Sequence, residues 1–526
     1  MYYETFCIME DKIMELVKEN ITVNQVCTKG TVRSQVDEDI IVPDVKPDIL
    51  KILQLDASAC VTDETVTDGR ASAEGRVDLK ILYIPDSETE KIKSINASFD
   101  FVRNIDNKAI KSGMTAVISA NVENAEFSLI NSRKLRVKVT VALDYEIACE
   151  NNIEIAVDAE DSGSAEVLKD NILLQNCVGI CSESFKLCEN IQVSASQSAI
   201  GEILKVDARI TDSEYKAVTG KIIIKGAAAA SVLYTDEEGQ IRFMEAEIPF
   251  TEVIECEEAS DDTVCDIDYS VSSVDCEVKE DSDGDRRIAA LEICIRAQVK
   301  ATENVAVDMI SDCYEPYMKT ELIKEETELE EVISRPQTQC TVRETVEVGE
   351  DAPAVSGVYD VITRPKVSDT RLENGKLVTE GKIETYILYL TGSEDNPVYS
   401  LKRDIPFSCA METDADGDGL IPEIKAEVRH TAYNLNMAGE IELRCILALN
   451  ANIVRKRTIE LIEDIVTENR SEAENRGIVI YFVQSGDTLW EIAKRYAVPM
   501  GAVTEFNSLT DGSDISVGTR LFIPGA

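Results

Sequence analysis

Residues whose type and spacing could do chemistry are few in this chain of 526 residues. Asp414-Ala415-Asp416-Gly417-Asp418-Gly419 has the spacing of the front half of an EF-hand calcium loop. A working loop needs a bidentate Glu at its twelfth position, but that position is Lys425 and the ninth is Pro422. Strand-like residues follow where a helix should begin, so the stretch reads as a solvated acidic turn. His430 is the single histidine. Any Ser-His-Asp triad would have to use it, and a zinc site would need further ligands beside it. It reads as a structural residue on a strand-like run. Cys177-Val178-Gly179-Ile180-Cys181 lacks the spacing and the second pair of a zinc knuckle and reads as core packing. Gly69 and Gly75 have five residues between them and are followed by Arg76, so they do not make a phosphate-binding loop. With 99 acidic residues, no chosen pair of carboxylates is informative. The expectation is a protein without catalytic residues, metal or cofactor.

Order of residues becomes specific only in Ile478–Ala526. Ile478–Val483 is a short β-rich run turned by Gly486-Asp487, and Thr488 with Glu491 forms a helix capping box. Leu489, Ile492, Ala493 and Tyr496 fall on one face of a two-turn helix. Pro499 suits the first position of a second helix, to which Val503 and Phe506 give a buried side. Arg520–Ile523 makes a second strand, ended by Pro524. The unit is a small βααβ domain. Trp490 is the only tryptophan. Packing against the second helix would occupy it in part, and a partner could use it and Tyr496 as amphipathic anchors.

Across the whole chain, 44% apolar residues supply real cores despite a net charge of −46 and a pI near 4.4. Ile478–Ala526 carries only −2 of that charge, leaving −44 on the first 477 residues. Such a surface repels nucleic acid and anionic lipid headgroups. No apolar run approaches the ~18 residues that a membrane-spanning helix needs. The first 20 residues lack a signal-peptide core, and Phe6, Ile8, Ile13, Met14 and Val17 suit a short amphipathic helix. Fifteen scattered cysteines suggest reduced thiols in a cytosolic compartment.

One block occurs three times. Gly69, Gly75 and Leu82-Tyr83 return as Gly220, Gly226 and Leu233-Tyr234, then as Gly375, Gly381 and Leu388-Tyr389. The glycines are 6 apart, the Tyr follows by 8, and the periods are 151 and 155. After each second Gly the chain alternates with period two: Val77, Leu79, Ile81 and Tyr83 in the first copy. Each copy reaches a further strand ending at Phe101, Phe250 or Phe407, and later a long alternating strand (135–145, 288–297 and 441–447). The expected fold is mainly β: three tandem sandwich- or barrel-like repeats, 1–150, 151–312 and 313–466, then a linker at 467–477 and the βααβ domain at 478–526. Connectors at Met14–Glu19, Glu166–Asp170 and Met318–Val332 read as helical. The linker, as a flexible coil of ~20 Å, would let the last domain move.

Two resemblances follow from these residues. Val483-Gln484, Gly486-Asp487-Thr488-Leu489, Ile492-Ala493, Tyr496, Asn507, Leu509, Gly518, Leu521, Ile523 and Pro524 closely resemble a LysM module. That resemblance implies a shallow groove for peptidoglycan or other N-acetylglucosamine polymers, made by Gly486–Leu489 and by Asp511, Gly512, Ser513, Asp514 and Ile515. Some LysM modules bind protein instead. The repeats, with Pro43-Asp44-Val45-Lys46-Pro47-Asp48-Ile49 before the first, resemble the SPOCS domain of spore-coat proteins. Together the parts resemble clostridial morphogenetic proteins of the SipL type. The resemblance implies a non-enzymatic scaffold in the mother-cell cytoplasm, docking the coat at the forespore surface. Its implied partner is the morphogenetic ATPase of the coat's base layer.

Overall fold

The computed structural model describes residues 15–87, 90–160, 165–194, 196–349, 352–392, 398–469, 477–509 and 515–524. The first repeat is β1 (Glu15–Ile41), β2 (Ile49–Thr67), β3 (Arg70–Pro85), β4 (Lys93–Asp106), β5 (Thr115–Asn131) and β6 (Lys134–Glu160). The second is β7 (Glu166–Gln192), β8 (Ile200–Val218), β9 (Lys221–Asp236), β10 (Ile241–Glu255), β11 (Val264–Glu280) and β12 (Arg286–Tyr314). The third is β13 (Met318–Ser334), β14 (Gln337–Val346), β15 (Gly357–Glu373), β16 (Lys376–Leu390), β17 (Val398–Glu412), β18 (Leu420–Leu435) and β19 (Ile441–Asn469). The last domain is β20 (Ile478–Phe482), α1 (Leu489–Tyr496), α2 (Met500–Phe506) and β21 (Arg520–Pro524). All pairing is antiparallel.

Each repeat closes two three-stranded layers over its own core. β2-β3-β4 faces β1-β6-β5, β8-β9-β10 faces β7-β12-β11, and β15-β16-β17 faces β14-β19-β18. The expected mainly-β sandwiches are what forms.

The repeated residues have separate tasks. Gly75, Gly226 and Gly381 lie beneath the rings of Phe101, Phe250 and Phe407. A Cβ on them would come within 2.3, 2.5 and 2.7 Å of the ring Cζ, and within 2.6, 2.5 and 2.2 Å of a carbonyl oxygen on the neighbouring strand. Successive residues of a strand point to opposite faces, and the Leu-Tyr pair exploits this. Tyr83 and Tyr389 enter the cores of their own repeats, where each hydroxyl donates to a carbonyl (Pro47 O and Pro353 O, both at 3.1 Å). Leu82, Leu233 and Leu388 point the other way and meet in one shared cluster with Leu53, Leu204 and Val398. Each buried Leu contributes about 2 kcal/mol of hydrophobic stabilisation. The dipeptide therefore builds the repeat with one side chain and joins the repeats with the other.

Beside that junction lies a buried ion cluster. Lys205 Nζ, from the second repeat, meets Asp56 of the first at 3.4 Å, Asp207 at 2.8 Å and Asp360 of the third at 2.9 Å. Lys80 pairs with Asp207 (2.9 Å) and Arg364 with Asp56 (2.6 Å), so three cations balance three carboxylates. Burial would raise the Asp207 carboxyl, but Lys205 and Lys80 outweigh it and hold the group down at about 2. A cavity of 1760 Å³ opens between the repeats, walled by all three. Lys300–Glu146 (2.6 Å) and Lys425–Asp268 (2.5 Å) bridge repeats along it.

The outer strands run on past the sandwiches. β1, β6 and β7 have 27 residues, and β12 and β19 have 29. Their extensions make three two-stranded ribbons, β1–β6, β7–β12 and β13–β19. Alternate residues (Ile153 and Ile155, Ile172 and Leu174, Val307 and Met309, Ile459 and Leu461) meet in a common core, a stalk.

The stalk corrects several expectations. Glu15–Glu19, Glu166–Asp170 and Met318–Val332 are strands, the first strand of each ribbon, where helices were expected. Their Glu and Lys content favours helix, but antiparallel pairing along β6, β12 and β19 holds each segment extended and overrides that propensity. The rest of the expected N-terminal helix, with Phe6, Ile8, Ile13 and Met14, lies outside the described residues. The boundary at 150 falls inside β6. Thr467–Asn469, expected as linker, completes β19, and 470–476 lie outside the described residues. The expectation of thiols throughout is also corrected: Cys340 and Cys409 form a disulfide between β14 and β17.

Candidate functional site

In the C-terminal domain the capping box forms as the spacing predicts. Glu491 N donates to Thr488 Oγ1 and Thr488 N to Glu491 Oε2, both at 3.1 Å. Gly486 (φ +92°) turns the chain into α1, a backbone conformation open to glycine. Ile492, Ala493, Val503, Leu521 and Ile523 are buried, with Leu489 and Tyr496 packed against them. Two details differ from expectation. Pro499 stands one residue before α2 as its N-cap, and Phe506 is exposed, since a helix this short turns only Val503 and Thr504 inward.

The expected groove residues have distinct situations. Ser485, Gly486 and Thr488 are exposed, whereas the Asp487 side chain is only 9% exposed. Its Oδ2 accepts from the Tyr481 hydroxyl (2.6 Å) and Gln484 N (2.7 Å), and Arg495 lies at 3.5 Å. The hydroxyl and amide bonds hold the Asp487 carboxyl below its ordinary range, so it stays an anion that shapes the loop. On the opposite loop Ile515 packs against the domain core, and Asp511, Gly512, Ser513 and Asp514 lie outside the described residues. Asn507, which the sequence reading matched without assigning a role, clamps α2 to β21. Its amide donates to Phe522 O and accepts from Phe522 N, both at 2.7 Å.

Trp490 is engaged within the chain. Its Nε1 donates to Asp312 Oδ2 at 2.8 Å, and its ring meets Tyr314 edge-on at 5.2 Å. Lys494 pairs with the other oxygen of Asp312. Tyr314 OH donates to Val498 O (2.8 Å), Tyr317 N to Ala497 O (2.7 Å) and Met500 N to Glu166 Oε1 (3.1 Å). The domain is therefore seated on the end of the stalk. Sequence reasoning missed Asp312, Tyr314 and Glu166 because they lie on β7 and β12, 178 residues or more from their partners.

Other sequence candidates do not gather into a second site. His430 is exposed on β18 at the wall of the inter-repeat cavity, and Asp414–Gly419 is the turn between β17 and β18, where Asp416 O accepts from Arg455 (2.9 Å). Cys177 and Cys181 sit on β7, with Cys181 packed at the core of the second repeat beside Cys256. Among the described residues no group of three or more His, Cys, Asp or Glu could hold a metal ion.

A family model described as SipL, SPOCS domain, matches residues 48–130, 199–279 and 354–436, and a LysM domain model matches 481–524. The chain has the SipL-type architecture, tandem SPOCS repeats followed by LysM. No curated protein matches it. The SPOCS matches span β2–β5, β8–β11 and β15–β18, so they leave out the first and last strands of each repeat, from which the stalk is made. These domains mark a sporulation protein with a peptidoglycan-binding type of module, and neither domain family is catalytic. No described helix is long and apolar enough to cross a membrane.

Proposed function

We propose that the chain is a non-enzymatic scaffold that docks or assembles the spore coat at the forespore surface, acting from the mother-cell cytoplasm. The observation carrying this reading is the joint architecture: three SPOCS repeats locked into one body by the shared Leu82–Leu233–Leu388 cluster, with a LysM module seated on it. Three similar β surfaces held at fixed mutual positions suit multivalent protein contact. The partner is the base-layer morphogenetic ATPase of the coat, met in part through Trp490 and Tyr496 of the LysM module. Capture of that ATPase by the immobilised full chain, and its loss when the LysM domain is deleted, tests the reading. A second reading, binding of peptidoglycan or N-acetylglucosamine oligomers, is favoured by one observation. Among the described residues, the loop through Ser485, Gly486 and Thr488 stays exposed with the module seated. Co-sedimentation of the same chain with purified peptidoglycan tests it.

A further inference from the structure

We infer that the LysM module is latched onto the stalk, and that the α1 face bearing Trp490 becomes available to a protein only when this latch opens. The inference rests on the reading of Trp490 as a partner contact. Asp312 is the centre of the latch, because its two oxygens serve two different donors on α1, the Trp490 indole N–H and the Lys494 ammonium. Tyr314 stands beside it and fills the remaining space: its ring lies edge-on to Trp490 and its hydroxyl reaches Val498 O. A partner taking hold of Trp490 would have to supply what the stalk already supplies, a carboxylate next to an aromatic ring, and would compete with it in place.

The contact also has the features of one that opens. Lys494 and Asp312 keep 33% and 22% of their side chains exposed, which limits the strength of their ion pair. Tyr314 is the stalk side chain buried in the module's core; apart from the two rings and the Lys494 pair, the hydrogen bonds across the seat among the described residues are single ones to main-chain groups at 497, 498 and 500. Segments held by few buried contacts open at far lower cost than the sandwich cores. The groove loop at Ser485–Thr488 takes no part in the latch, so opening changes access to one face of the module and leaves the other as it was.

Trp490 is the only tryptophan in the chain, so its fluorescence reports the latch directly. Acrylamide quenching of the full-length protein is the test. With Asp312→Ala the quenching constant should rise at least twofold and the emission move to longer wavelength, with the far-ultraviolet circular dichroism of the β body retained. Lys494→Met, placed on the module side, should move both readings the same way by a smaller step, and serves if Asp312→Ala disturbs folding. Quenching equal to the parent's in both variants would show that the module itself shields Trp490, and the latch would be overturned. Capture of the ATPase is a separate measurement, so failure of the latch and failure of the partner reading are told apart.

Discussion

Gly75, Gly226 and Gly381 show how a single residue type is dictated by a neighbour that is remote in sequence. Gly69, Gly220 and Gly375 (φ +80°, +77° and +73°) serve as turn residues; around the first two a Cβ would meet nothing, and around Gly375 only a carbonyl at 3.6 Å. Gly75→Ala should therefore cost at least about 2 kcal/mol in urea unfolding, because the ring of Phe101 and the Cys60 carbonyl cannot both withdraw. Gly69→Ala should cost only about 1 kcal/mol, the price of a left-handed backbone. Equal costs would contradict this division. The repeat of these glycines was legible in the sequence, since spacing survives without a structure. The reason for them was not, because it lies in a ring 26 residues away in the first copy and in a carbonyl on the adjacent strand. The LysM resemblance implies Asp487 as a groove residue. Its bonds to Tyr481 and Gln484 make it a support of the loop, so on the glycan-binding reading Asp487→Ala should weaken binding of an N-acetylglucosamine hexamer by tenfold or more, measured by calorimetry.

At the scale of elements, the ribbons and the ion cluster decide how the repeats are joined. Lys205→Met would leave the half-buried Asp56, Asp207 and Asp360 with only Lys80 and Arg364 to balance them, and should destabilise the chain by about 3 kcal/mol. The exposed pair Arg76–Asp100, 48% and 77% exposed, should be removable within about 0.5 kcal/mol. Asp207 adds a pH signature. Its folded carboxyl sits at about 2, below the ordinary unfolded value near 3.9. Its contribution is present above pH ~4 and is lost as pH falls toward 2, and acid unfolding of Asp207→Asn should lack that step. Period-two alternation made the sandwich strands legible. The ribbon strands are not legible, because sequences such as Met318–Val332, rich in Glu and Lys, carry a strong local helix preference. What overrides it, pairing with the distant strand β19, has no local trace.

For the whole molecule, the repeats make one body with a module seated at one end. Residues 1–469 should keep the β-type circular dichroism of the full chain, since the cores of the repeats and the stalk do not depend on the module, apart from Tyr314, which packs against the seated LysM domain. A cut before Thr467 removes the end of β19, so that shorter form should unfold at lower temperature than 1–469. Net charge, the absence of catalytic motifs and the domain set were all available from the sequence, whereas the seat of the module was not. The most direct measurement is parallel capture by the full-length chain of the purified base-layer ATPase and of purified peptidoglycan. A coat-docking scaffold should retain the ATPase at micromolar concentration or below, and should lose it on deletion of 478–526. Retention of peptidoglycan with no ATPase bound would contradict the scaffold reading and leave a glycan-binding protein in its place.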